Sequence, residues 1–147
     1  MNSCNRLDSV APDLAKIGKL LAPEQRKAVA CRVAEWACRT TDVKPHLSDD
    51  RLKVLSDPSS NTTTEDRQSI SNDVSEFDER YFEIVEKNNG LDDAGEAMKW
   101  FRKARALASL SYAFDASSIG YFCESLYEAQ AATDDLSALR ELCSRDI

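Results

Sequence analysis

The sequence is poor in residues that break or bend a chain, with four glycines and four prolines in 147 residues. The glycines, at 18, 90, 95 and 120, are too scattered for a phosphate-cradling loop or a dinucleotide fingerprint. Valine, isoleucine and threonine together number eighteen, which leaves little material for strands, and no alternating apolar pattern occurs. Long apolar runs are also missing. The longest charge-free stretch, residues 106–114, has nine residues, against the roughly 18 to 20 that a membrane-spanning helix needs. A single histidine, His46, excludes paired-histidine zinc motifs and the Glu-x-x-His elements of di-iron bundles. Zinc sites prefer cysteines two to four apart, and the nearest pair here is seven apart, so neither a metal nor a cofactor is expected.

Charge is plentiful and uneven. The net charge is −7, yet residues 1–46 carry eight bases and five acids, while residues 47–147 carry eleven bases and twenty-one acids. An acidic chain repels phosphate backbones and anionic lipid, so nucleic acid and membrane surfaces are poor partners and a basic protein is a better one. The 42% hydrophobic content supports one ordinary domain with a real core over residues 1–147. The N-terminal residues alternate acid and base with no apolar segment behind them, which predicts neither a signal nor a transit peptide and a cytoplasmic address. In that setting the five cysteines (4, 31, 38, 123 and 143) read as reduced thiols, and the sequon at Asn61 as unused. Cys31 and Cys38, about 10 Å apart on a helix, cannot pair.

Apolar residues recur at three- and four-residue spacings, which predicts an all-α, single-domain bundle of six or seven helices. Helices are expected over residues 11–21 and 24–40, in a short segment capped by Ser48 that carries Leu52 and Leu55, from a capping box of Thr62 and Glu65 to about residue 88, and over 92–114, 118–132 and 136–143, with a polar flexible loop at 57–64. Expected core residues are Val29, Val33, Trp36, Ile70, Val74, Phe77, Tyr81, Trp100, Phe101, Leu107, Leu110, Phe122 and Leu126. Cys31, Cys38 and Ser109 fall off these stripes. The pairs Asp49-Asp50, Asp92-Asp93 and Asp134-Asp135 stand at helix starts, where capping explains them. A match between residues 26–37 and 102–113 raises the question of an internal repeat, although alanine-rich helices make such matches easily.

No Gly-x-Ser-x-Gly elbow and no catalytic cysteine context occurs, and His46 follows Pro45 in a linker, so no catalytic residue is assigned. The helix expected over residues 64–88 carries the candidate site. Ile70, Val74, Phe77, Tyr81, Ile84 and Val85 fill one arc, and Glu76, Glu79, Glu83 and Glu86 occupy the other. Residues 65–86 hold eight acids and two bases. Pairs Glu76 with Arg80 and Glu83 with Lys87 would make part of this ridge a self-neutralised, solvated face, while the excess would steer a basic partner. A second charged group, Lys99, Arg102, Lys103 and Arg105, has a simpler reading as solvation and pairing with nearby acids.

The segment Glu-Ser-Leu-Tyr-Glu-Ala-Gln-Ala-Ala-Thr-Asp-Asp-Leu-Ser-Ala-Leu at 124–139, with Val33-Ala34-Glu35-Trp36-Ala37 and the Tyr81-Phe82 pair, resembles small all-α bacterial proteins encoded beside polymorphic or contact-dependent toxins. The resemblance covers about half of the chain. It implies an immunity protein that binds a cognate toxin stoichiometrically, with Glu76, Glu79, Glu83 and Glu86 as the partner-binding residues suggested by the helix pattern. The competing expectations are a helical structural or regulatory subunit that self-associates through an apolar patch around Tyr127 and Leu139, and a small enzyme with a deep polar pocket.

Overall fold

Pro12 and Pro23 each open a helix, at the one position where a missing N–H leaves nothing unpaired. These helices are α2 (Pro12–Leu20) and α3 (Pro23–Thr40), preceded by a short α1 (Asn5–Val10). The structure, a computed structural model, describes residues 4–57, 62–90 and 95–145. A 3-10 turn at Lys44–His46 leads to α4 (Asp49–Ser56), and α5 (Thr64–Lys87) follows. Thr63 and Asp66 form the capping box of α5: Thr63 Oγ1 accepts from the Asp66 N–H and Asp66 Oδ2 accepts from the Thr63 N–H, each at 3.0 Å. The expected box at Thr62 and Glu65 is thus one residue early. Asn89 and Gly90 take left-handed backbone conformations, and the Gly90 N–H closes α5 on the Val85 carbonyl at 2.7 Å. The remaining helices are α6 (Glu96–Ala113), α7 (Ile119–Thr133) and α8 (Leu136–Ser144), the last capped by Asp135 through the Ala138 N–H.

The fold is all-α, and eight α-helices stand among the described residues. The count exceeds the expected six or seven because the 11–21 pattern hides a break at Ala11 and a separate α1 before it. The middle of the expected 57–64 loop, including Asn61, and the pair Asp92-Asp93 lie outside the described residues.

Helices α6 and α7 form the centre. α6 packs on α3, α5 and α7, while α7 also meets α1, α2, α3 and α8. Alanines 104, 106, 113, 129 and 132 let the helices approach closely. At the α6–α7 crossing, Ser109 Oγ donates to the Ser125 carbonyl at 2.8 Å and Ser125 Oγ to the Ser109 carbonyl at 2.9 Å. Ser109, expected on the wet side, is therefore fully buried and satisfied. The α2–α7 contact is just as tight: a Cβ on Gly18 would lie 2.7 Å from both Ile119 Cδ1 and the Phe122 ring.

The core of the bundle contains the expected Val29, Val33, Ile70, Phe77, Leu107, Leu110, Phe122 and Leu126. Five expected core residues are only half-buried: Trp36, Val74, Tyr81, Trp100 and Phe101. Four of them carry large rings that reach from the core to the surface, so part of each ring stays wet. Cys31 and Cys38 are buried because α3 packs two faces, against α6 on one side and α7 and α8 on the other. The two segments of the possible repeat sit differently, since Arg26 bonds the carbonyls of Gly18, Leu21 and Ser117, whereas Arg102 is exposed.

Two cysteines are not reduced. Cys4 and Cys123 form a disulfide with Cα atoms 5.3 Å apart, tying α1 to α7 across 119 residues of sequence. This overturns the expectation of five thiols: the linear spacing of 4 and 123 says nothing about their meeting in the fold. The Cys31 and Cys38 thiols are unbridged, as the helical spacing requires, and burial pushes them up to about 11 and about 12. They are packing groups with no thiolate chemistry at neutral pH.

Candidate functional site

Helix α5 lies on the flank of the bundle, packed mainly on α6 and more lightly on α4. Its inward side is fixed by Ile70 and Phe77, and helical periodicity then turns Glu76, Glu79, Glu83 and Glu86 outward; all four are exposed. Glu76 bonds Arg80 at 2.8 Å, as expected, and the Arg80 guanidinium also lies over the Trp100 ring at 4.5 Å. That arginine is held by the aromatic surface beneath it and neutralises one end of the ridge. The expected Glu83–Lys87 pair is not made, and Glu79, Glu83 and Glu86 have no ion-pair partner among the described residues. Three of the four carboxylates therefore face water unneutralised.

Phe82 stands among them, 62% exposed. It follows Glu79 by one helical turn, adjoins Glu83 and precedes Glu86 by another turn, so an apolar ring is set among three unpaired acids. The ring meets Tyr81 edge-on, with centroids 5.2 Å apart, and Tyr81 packs in turn on Phe101 at 5.5 Å. The sequence pattern placed Phe82 with Tyr81 but outside the ridge, because the apolar period of a helix singles out only the residues that face inward.

The basic group on α6 divides. Arg105 turns inward, bonding Asp78 at 2.8 Å and Glu128 at 3.0 Å. Glu128 is almost fully buried, and its second oxygen accepts from Arg6 at 3.0 Å, with Glu124 also bound to Arg6. These contacts join α1, α5, α6 and α7, and the Arg6 guanidinium lies 4.3 Å above the Tyr127 ring. A cleft of about 200 Å³ opens beside them, lined by Ser71, Arg105, Ser111, Tyr112 and Glu128 among others. Burial raises the Tyr112 phenol above its ordinary range, with Glu124 and Glu128 adding to the effect. The cleft pairs its carboxylate with arginines and presents no nucleophile beside a base. Lys99, Arg102 and Lys103 take the other direction and line a second cleft with residues at the ends of α3 and α7.

His46 is exposed, yet its ring packs edge-on against Trp100 at 4.8 Å. Desolvation, then Lys103 and Arg80, lower its pKa against the opposing pull of Asp42. Among the described residues no three His, Cys, Asp or Glu side chains gather where they could hold a metal ion, and no helix is long and apolar enough to cross a membrane. The apolar patch expected around Tyr127 and Leu139 is absent, because Leu139 is fully buried and Tyr127 is half-covered beneath Arg6.

No family model, curated protein or solved structure matches the chain.

Proposed function

We propose that this chain is a non-catalytic binding protein that presents the outer face of α5 to a basic protein partner, in the manner of an immunity protein against its toxin. The observation that carries the reading is the placement of Phe82, largely exposed and ringed by Glu79, Glu83 and Glu86, which have no ion-pair partner among the described residues. A self-neutralised face would not leave three of its four acids unpaired around an apolar ring. Burying a phenylalanine contributes about 1.5–3 kcal/mol, and interfaces concentrate their energy in such anchors. The surrounding carboxylates would speed the encounter and exclude acidic competitors. A toxin that cleaves nucleic acid suits this face, because it is basic where it holds phosphates. A cytoplasmic meeting place agrees with the resemblance, whereas the Cys4–Cys123 bond favours an oxidising compartment; the α5 face works in either.

The test is capture on immobilised protein from the cell's own lysate and from its secreted fraction. Wild type, Glu79→Lys/Glu83→Lys and Phe82→Ser are compared with Glu141→Lys, which reverses an exposed charge on α8. A basic protein retained at one-to-one stoichiometry by wild type and Glu141→Lys, and lost from the two α5 variants, is the expected result. Equal retention by all four, or retention of an acidic protein, overturns the proposal.

A further inference from the structure

The second cleft, about 180 Å³, lies where the C-terminal ends of α3 and α7 meet the first half of α6. Its walls carry Lys99, Arg102 and Lys103 together with Thr40, Thr41 and Thr133, and among the described residues no acidic side chain lines it. In a chain of net charge −7, three cations around one small concavity form a local reversal of sign.

The simplest account of bases at two helix ends is that they offset the helix dipoles, each equivalent to about −0.5 charge. Hydrogen bonds already satisfy part of these helix ends. Thr41 Oγ1 donates to the Ala37 carbonyl at 3.0 Å, and Thr133 Oγ1 to the Ala129 carbonyl at 2.9 Å. The Thr41 N–H closes on Ala37 and the Asp134 N–H on Gln130. Glu96, 3.4 Å from Lys99, offsets one of the three cations, and Asp42 and Asp134 follow the lining threonines without lining the cleft. Arg102 is exposed and has no ion-pair partner among the described residues. The Lys103 ammonium also lies 5.6 Å from the Trp100 ring, which is outside the cleft wall.

We infer that this cleft binds the phosphate group of a small molecule. A phosphate dianion has the charge to neutralise three cations partly countered by Glu96, and its oxygens suit both the forked guanidinium of Arg102 and the point charges of the lysines. The Thr40 hydroxyl remains as a neutral donor. At about 180 Å³ the cleft is smaller than an ordinary drug-sized pocket, so a phosphate with a small body fits and a large cofactor does not. A nucleic-acid strand is disfavoured because the positive region ends at the rim, and the acidic remainder would repel neighbouring phosphates.

The test is titration of inorganic phosphate into the full chain at constant ionic strength, followed by amide chemical shifts. Saturable shifts confined to residues 40–41, 99–103 and 133 are expected. Arg102→Gln and Lys99→Gln should each weaken binding about tenfold, the loss of one charge-assisted contact, with the helical spectrum unchanged. Arg39→Gln, which removes a surface cation paired with Glu35, should leave the affinity as it was. Shifts that do not saturate, equal affinity in Arg102→Gln, or equal saturation by acetate would overturn the assignment. Tighter binding per phosphate by a short single-stranded DNA would overturn it in favour of nucleic acid.

Discussion

Glu128 illustrates how a single charge can organise a helical core. Its carboxylate is buried on α7 and is tolerated there because Arg6 and Arg105 each donate to one oxygen. Glu128→Ala leaves Arg105 short of a partner beside an already unpartnered Nε and should lower stability by about 2–4 kcal/mol. Glu124→Ala, on the more open side of Arg6, should cost under about 1 kcal/mol. Urea unfolding of the two variants checks the ranking, and equal losses would show that burial of Glu128 is not what matters. His46 gives a pH signature. Its folded pKa is lowered, so below the unfolded value of about 6.5 the unfolded chain takes up a proton before the folded one does, and stability falls as pH falls through that window. The effect should be small, since the ring is largely exposed, and it should vanish in His46→Gln. A decline of equal size in that variant would refute the assignment.

At the scale of elements, α1 is the piece added to the bundle by long-range bonds. Six residues cannot hold a helix by themselves; Cys4–Cys123, Arg6–Glu128 and the burial of Leu7 hold this one on α7. In denaturant without reductant, three of the five cysteines should react with a thiol reagent, and all five after reduction. The Cys4→Ser/Cys123→Ser variant should be about 2–4 kcal/mol less stable. Five reactive thiols before reduction would contradict the pairing. The same element explains what the sequence could and could not reveal. The proline starts of α3, the Asp135 cap and the stripe of Ile70 and Phe77 were legible because caps and periodicity are local. The disulfide, the buried Ser109 and the two packed faces of α3 were not, since each depends on a neighbour far along the chain. The acidic ridge was legible for the same local reason, but Phe82 within it required knowing which side of α5 stays uncovered.

For the whole molecule, the charges resolve into regions with different tasks. Arg105 and Arg6 neutralise a buried acid, Lys99, Arg102 and Lys103 surround a cleft, and three unpaired acids, Glu79, Glu83 and Glu86, stand on the outer face of α5. The total of −7 therefore understates how one-sided the α5 face is. The central claim is that this face steers and anchors a basic protein, and the most direct measurement is the association rate with the captured partner as a function of salt. Wild type should associate quickly at low ionic strength and slow steeply as salt rises. Glu79→Lys/Glu83→Lys should associate more slowly with a flattened salt dependence, while Phe82→Ser should associate at nearly the wild-type rate and dissociate faster. Association rates and salt slopes identical in wild type and the double reversal would contradict the account.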